Sequence, residues 1–305
     1  MSKICITGGT GLIGKRLTAL LSAQGHEVMI LSRSKKQGSA GIEYAQWNVN
    51  EGTIDAAAVR TCDAIIHLAG AGVADKRWTT KRKQEILESR TKSSQLLVKM
   101  LEENKGKITT IISASAIGWY GPDKPNGKPF VETDNAYNDF LGETCLKWEQ
   151  SIEPVEQLGI RLAKLRTGIV LSNDGGALKE FKKPLQFGLA TILGTGKQMI
   201  SWIHIDDLCR MYLHALENTA VSGIFNAVAP KPVSNKTLTV ELAKKMKGKA
   251  FITAPVPSFF LKIVLGEMSI EVLKSTNVSA EKIQKAGFQF LYPSLDAALN
   301  ELITS

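Results

Sequence analysis

Apolar and polar positions along this chain fall into blocks that recur in one order. A short apolar run, Ile4-Cys5-Ile6, leads into the glycine-rich stretch Thr7-Gly8-Gly9-Thr10-Gly11-Leu12-Ile13-Gly14. Leu12, Ile13, Leu17, Leu20 and Leu21 then recur at helical spacing. Gly25 ends that helix, and Val28-Met29-Ile30-Leu31 reads as a second buried strand. Further strands are expected at residues 42–46, 63–70, 108–113 and 160–171, with helices at about 79–104 and 138–157. Residues 121–136, rich in Gly, Pro, Asn and Asp, read as a loop.

Such regular strand–helix alternation predicts an α/β fold with a doubly wound parallel sheet of the Rossmann type. The expected domains are residues 1–170 for the sheet and 171–305 for a small C-terminal substrate cap. The chain should return to the sheet at about 200–229, where Ser201 to Asp207 reads as a strand and a helix start. Asp206 or Asp207 is placed to cap that helix. A further helix, Phe259 to Leu273, carries Lys262, Glu267 and Glu271 among its apolar residues. It reads as a core helix rather than one lying on a membrane surface.

The first strand–turn–helix–strand unit carries the first chemistry. Gly8 and Gly11 let a backbone turn tightly against a pyrophosphate, and Gly14 lets the helix pack on the sheet. An anion held by Gly8, Thr10, Gly11, Leu12, Ile13 and Gly14 would sit on the helix N-terminus, where free N–H groups favour negative charge. The spacing is G-x-x-G-x-x-G, that of short-chain dehydrogenases/reductases. At the end of the second strand a protein preferring NAD usually has an acid. Here stand Ser32 and Arg33, followed by Lys35 and Lys36. Arg33 can clamp a 2′-phosphate with two charge-assisted bonds, so NADP(H) is the expected cofactor; the alternative is a solvated basic loop. The apolar run ending in His67-Leu68-Ala69-Gly70 places small residues where a ligand must approach the sheet.

With 305 residues, 44% hydrophobic and 22% charged, the composition is that of an ordinary globular protein. The first strand begins at once, and no apolar run is long enough to cross a bilayer. Cys5, Cys62, Cys145 and Cys209 are scattered without metal-ligand spacing. A reducing cytoplasm, no metal and no membrane partner are the expectations. The net charge of +9 suits an anionic ligand. Its densest part, Lys76 to Lys83, is followed by Glu85 and Glu88 on the same helix, so it reads as a solvated face and no nucleic-acid partner is expected.

Along essentially its whole length the chain resembles the atypical extended short-chain dehydrogenases/reductases known as epimerase family proteins, relatives of nucleoside-diphosphate-sugar epimerases. The resemblance rests on GGTGLIG, Ser32-Arg33, HLAG at 67–70, RWTTKRKQEILESR at 77–90 and SASAIGWYG at 113–121. It continues through RTGIVLS at 166–172, SWIHIDDL at 201–208, FNAVAP at 225–230 and AGFQFLYPSLDAAL at 286–299, the last within a C-terminal segment of unassigned function. It implies that Ser32 and Arg33 hold the adenosine phosphate and that Leu68-Ala69 line the nicotinamide-side ribose. Gly70 belongs to the same strand end. Glu85, Arg90 and Val170 match positions that contact the cofactor; read alone, Glu85 and Arg90 are ordinary helix-surface residues.

Members of this class usually work through a Ser, a Tyr and a Lys, the last two spaced Y-x-x-x-K, with the Tyr as general acid/base. Ser115 matches the Ser position. The helix from Tyr137 to Lys147 contains no Y-x-x-x-K. Glu143 and Lys147 read there as a surface ion pair. Tyr120 is the other candidate that could reach the cleft. His204 with Asp206 is an alternative acid/base pair, but His204 reads first as a structural strand-end histidine, and Cys145 as a buried thiol rather than a nucleophile. Two functions follow. One is an NADP(H)-dependent oxidoreductase or epimerase acting on a small polar or nucleotide-sugar-like substrate. The other is a non-catalytic NADP(H)-binding regulator, in redox sensing or cell division, which the missing pair favours. Relatives often dimerise through two long helices, so a homodimer is an expectation of the resemblance.

Overall fold

The computed structural model describes residues 1–34, 37–38 and 41–304; Lys35 and Lys36, part of the basic loop expected above, lie outside it. Strand β1 (Lys3–Thr7) runs into α1 (Leu12–Ala23) and β2 (Glu27–Ser32), followed by β3 (Ile42–Asn48), β4 (Thr53–Ile54), the short α2 (Ala56–Val59) and β5 (Ala64–His67). Next come α3 (Thr80–Glu103), β6 (Thr110–Ala116), α4 (Phe140–Ile152) and β7 (Arg161–Thr167). With β13 (Gly223–Ala227), these strands make one eight-stranded sheet in the order β13-β7-β6-β5-β1-β2-β3-β4. All its pairs are parallel except the β3–β4 edge.

Both faces of this sheet are covered at its centre, which is why β1, β2 and β5 read as unbroken apolar runs. Successive residues point to opposite sides. Ile4, Ile6, Ile66 and Ile112 join one core with Leu17 and Leu21 of α1 and with Leu208 and Met211 of α6 (Ile205–Glu217). Cys5, Ile65 and Ile111 join the other with Leu97 and Leu101 of α3 and Ile152 of α4.

The expected sixth strand, 160–171, is two strands. Gly168 separates β7 from β8 (Ile169–Ser172), and a Cβ there would meet the Ser201 carbonyl oxygen at 2.5 Å. β8 leaves the main sheet to pair with β12 (Trp202–His204) and β9 (Gly175–Gly176). Around them α5 (Ala177–Leu185), α7 (Asn235–Lys247) and α11 (Leu295–Thr304) enclose a third core built on Leu178, Trp202, Leu238 and Leu299. β10 (Leu189–Leu193) pairs with β15 (Ile252–Val256), and β11 (Met199–Ile200) with β14 (Val233–Ser234).

Two local expectations are corrected. The cap of α6 is His204, whose Nδ1 accepts from the Asp206 N–H at 3.1 Å. The two aspartates serve elsewhere: Asp206 pairs with Arg16 of α1, and the buried Asp207 carboxylate accepts the Leu291 and Tyr292 N–H groups at 2.8 and 2.9 Å. The expected helix 259–273 is broken by Gly266, at φ +61°, into α8 (Ser258–Leu265) and α9 (Ser269–Leu273). It is not a core helix, since Leu261 is its only buried apolar residue. The short α10 (Glu281–Lys285) leads on toward α11.

At the junction of β1 and β5 sits His67, fully buried. The Thr7 hydroxyl accepts the Leu68 and Ala69 N–H groups, each at 3.1 Å, so its own proton goes to His67 Nδ1 at 2.7 Å. Nε2 then carries the imidazole proton and meets the Ser94 hydroxyl at 3.1 Å. Burial depresses the His67 pKa from 6.5 to about 4. The unfolded chain therefore takes up this proton first, and stability falls as pH drops from about 6.5 toward 4. Urea unfolding at pH 7 and pH 5 should show a loss of about 2 kcal/mol from this group, and His67→Gln should abolish that share of the slope.

Candidate functional site

The cradle is made by three backbones brought together where side chains are missing. Gly8 stands at φ +70°, and a Cβ on it would meet the Leu68 carbonyl at 2.9 Å, so the turn after β1 touches the chain leaving β5. A Cβ on Gly14 would run into the backbone of Gly8 and Gly9, so α1 starts directly under the turn. At Gly11 a Cβ would meet only the Gly8 carbonyl oxygen, at 3.3 Å, and its outer side is open. Gly11 caps α1 without a side-chain hydrogen bond, which leaves the first-turn N–H groups to a ligand. Thr10, Gly11 and Leu12 line a 450 Å³ pocket together with Lys15 and Asp174. Leu12 also packs against Gly175 and Gly176 of the β8–β9 hairpin, and Val170 of β8 lies half-buried beside that contact. Ile13 is half-buried against the core.

At the rim, Ser32 is buried at the end of β2, and Arg33 beyond it is exposed with no acidic partner among the described residues. Leu68 and Ala69 are half-buried at the end of β5. Gly70 follows, and a Cβ there would meet the Arg90 guanidinium carbon at 3.2 Å. Arg90 is buried on α3, lies 4.9 Å from the centre of the Trp148 ring and donates to the Ile86 carbonyl at 2.8 Å. Burial lowers its pKa, and no described carboxylate offsets the charge. A cation so placed suits an anionic ligand over the strand ends. Glu85 faces away from it: exposed, it pairs with Arg82 at 2.8 Å, which holds its carboxyl below the usual range. These features fit a dinucleotide whose phosphates lie on the Gly11 turn.

The residues expected to do chemistry are committed elsewhere. Ser115 is buried, and its hydroxyl donates to Glu149 of α4 at 2.7 Å. The same carboxylate accepts two bonds from Arg166 of β7, at 2.8 and 3.0 Å, with Lys164 3.7 Å away. Arg166 is fully buried and lies 3.6 Å from the centre of the Trp119 ring. Burial opposes its charge, but the bonds to Glu149 outweigh burial and raise its pKa. Tyr120 does not reach the cleft. It is fully buried, stacked on Phe130 and donates to the Asn226 side chain at 2.7 Å, because Asn226 of β13 lies next to it across the core. Burial pushes its hydroxyl up to about 12.

On α4, Leu141, Cys145 and Glu149 recur every fourth residue along one face. Leu141 and Cys145 pack at Gly118 in the turn after β6, and Glu149 takes Ser115. The residues of α4 that face Gly118 are thus Leu141 and Cys145, and α4 carries no Tyr-x-x-x-Lys pair. The Cys145 thiol is buried and pushed up to about 12 by that burial. Glu143 and Lys147 approach to 3.9 Å on the exposed side of the helix. His204 Nε2 bonds to Glu301 at 2.8 Å, tying α11 to the sheet edge. Sequence reasoning missed Glu149, Arg166, Lys15 and Asp174. Two basic residues at buried positions of one strand, Lys164 and Arg166 in RLAKLRT at 161–167, were the available sign of a buried countercharge.

Comparison with known proteins agrees with this fold. Residues 4–141 match the model of the NAD dependent epimerase/dehydratase family, and residues 256–302 match a domain of unknown function. The chain is 38% identical to epimerase family protein YfhF of Bacillus subtilis over 98% of this chain and 97% of that one. It is 36% identical to epimerase family protein SSP1921 of Staphylococcus saprophyticus, over 99% of this chain and all of that one. Among solved structures it is similar to human epimerase family protein SDR39U1 (isoform 2) with NADPH, with a TM-score of 0.87 and 30% identity over 99% of each chain. The protein belongs to the NAD-dependent epimerase/dehydratase family, among its epimerase family proteins.

The buried network gives a stability test. Glu149→Gln leaves Arg166 buried without its countercharge and should cost about 3–5 kcal/mol by urea unfolding. Ser115→Ala removes one hydrogen bond to the same carboxylate and should cost only about 1–2 kcal/mol.

Proposed function

We propose that the chain is an NADP(H)-dependent oxidoreductase- or epimerase-like protein, acting on a small polar or nucleotide-sugar-like substrate. The observation that carries the cofactor half is the end of β2. Ser32 and the unpaired Arg33 stand where a carboxylate would otherwise take the adenosine ribose, and a guanidinium there suits a 2′-phosphate. The Gly11 turn and the uncapped start of α1 would hold the pyrophosphate. Arg90, with Leu68 to Gly70, would bound the nicotinamide side. When bound, the nicotinamide supplies a hydride donor or acceptor. Leu141 and Cys145 exchange no proton at neutral pH, so α4 shapes and dries that side of the cleft. Any accompanying proton comes from the substrate or from solvent.

The same Leu141–Cys145 pair favours a second reading, a regulator that binds NADP(H) without turning it over. Sequestration of Ser115 by Glu149 points the same way. The test is titration of the purified protein with NADPH and with NADH, followed by reduced-nicotinamide fluorescence. NADPH should bind at least about tenfold more tightly, a difference of about 1.4 kcal/mol, and Arg33→Ala should erase it. Equal binding of both, or none, would sink the assignment. NADPH binding without oxidation across a panel of carbonyl and sugar-nucleotide substrates would favour the regulator.

A further inference from the structure

Helix α8 has the sequence SFFLKIVL, yet only Leu261 is buried. Phe259 and Ile263 each keep 66% of their surface exposed, Phe260 and Val264 52% and 53%, and Ile270 of α9 59%. A short helix that is apolar nearly all round is normally buried on all sides. This one bridges two parts of the fold. Its start lies where Ser258 approaches Gly194, and Gly266 just past its end packs against the Arg77 guanidinium. Glu267 pairs with Lys83 of α3. The densest basic stretch of the chain therefore lies beside the largest exposed apolar face.

The charges around it are not balanced. Asp75 and Glu85 are taken up by Arg82, Glu267 by Lys83 and Glu271 by Lys274. Among the described residues, Lys76, Arg77, Lys81 and Lys262 form no direct ion pair, and all four are exposed; Glu85, itself paired with Arg82, is the one carboxylate that Lys76 and Lys81 also act on. The result is an apolar helix with an excess of cations along its edge and one, Lys262, within it.

We propose that this face docks on an anionic lipid surface, with Phe259, Phe260, Ile263 and Val264 entering the acyl boundary and the four cations meeting headgroup phosphates. Apolar insertion combined with basic flanks is the chemistry of interfacial helices. No helix among the described residues is long and apolar enough to cross a membrane, so the contact lies along the surface. A second copy is a poorer occupant. A two-fold contact along α8 would bring two Lys262 ammonium groups into one apolar seam, with two sets of excess cations beside it.

The proposal is independent of the cofactor reading and is tested without cofactor. Full-length protein is sedimented with sucrose-loaded vesicles of phosphatidylcholine alone and of phosphatidylcholine with phosphatidylglycerol. Partitioning to the anionic vesicles should exceed that to neutral ones at least tenfold and fall when salt is raised to about 0.5 M. Phe259→Glu with Ile263→Glu, and separately Lys76→Ala with Lys81→Ala and Lys262→Ala, should each reduce it at least tenfold. Circular dichroism and the thermal midpoint confirm that both variants stay folded, since every changed side chain is exposed. Absence of vesicle binding, equal binding to neutral vesicles, or binding unchanged in either variant overturns the proposal. So does a dimer in light scattering that the Phe259→Glu variant abolishes, or an acidic protein partner retained on the same face without any affinity for vesicles.

Discussion

The approach of the β1–α1 turn to the start of the β5 loop is the constraint on which the remainder of the cradle rests. Gly8 must lie at positive φ with no Cβ, or the turn cannot reach Leu68. Gly14 must lack one too, or α1 cannot begin beneath the turn. With both in place the Thr7 hydroxyl can bind the Leu68 and Ala69 N–H groups, and His67 is sealed beneath them as a neutral imidazole that accepts from Thr7. The ligand-facing edge is therefore a backbone surface set before any ligand arrives, which limits the ordering that binding has to impose.

Glu149 plays the corresponding part on the chemical side. A carboxylate and a guanidinium, both out of contact with water, hold each other in place by two hydrogen bonds, and the Ser115 hydroxyl completes the acceptor set. The serine that other members of the class aim at substrate is here turned inward. Helix α4 is thus tied to β6 and β7 through charge, and beside Gly118 it presents Leu141 and the buried Cys145. The epimerase/dehydratase fold is retained, while α4 carries no Tyr-x-x-x-Lys pair.

Much of this was legible in the sequence. The parallel strands β1, β2, β3, β5, β6 and β7, the glycine turn and the Ser32-Arg33 pair were legible through periodicity and local backbone chemistry, which depend on neighbours along the chain; the short edge strand β4 was not. What escaped depends on partners far away. That Ser115 faces Glu149 and Tyr120 faces Asn226 is decided by pairings 34 and 106 residues apart. The break at Gly168 was hidden because both segments beside it have strand character, RLAKLRT before it and IVLS after it. Helix α8 was misread for the opposite reason: its composition is that of a buried helix, and only its neighbours reveal that nothing covers its outer face.

The way the last third of the chain closes on the first has a consequence for how the protein is made. Arg16 of α1 bonds to Asp206, whose neighbour Asp207 holds Leu291 and Tyr292, and His204 holds Glu301. The edge strand β13, which supplies Asn226 to Tyr120, is synthesised more than a hundred residues after the tyrosine it satisfies. A ribosome-bound chain that ends before residue 223 carries β7 as an open sheet edge and Tyr120 without its acceptor on β13. Such contacts of long sequence separation are slow to form, and the unpaired edge is adhesive while it waits. The interval between synthesis of β7 and arrival of β13 is thus the period in which this polypeptide most depends on chaperones.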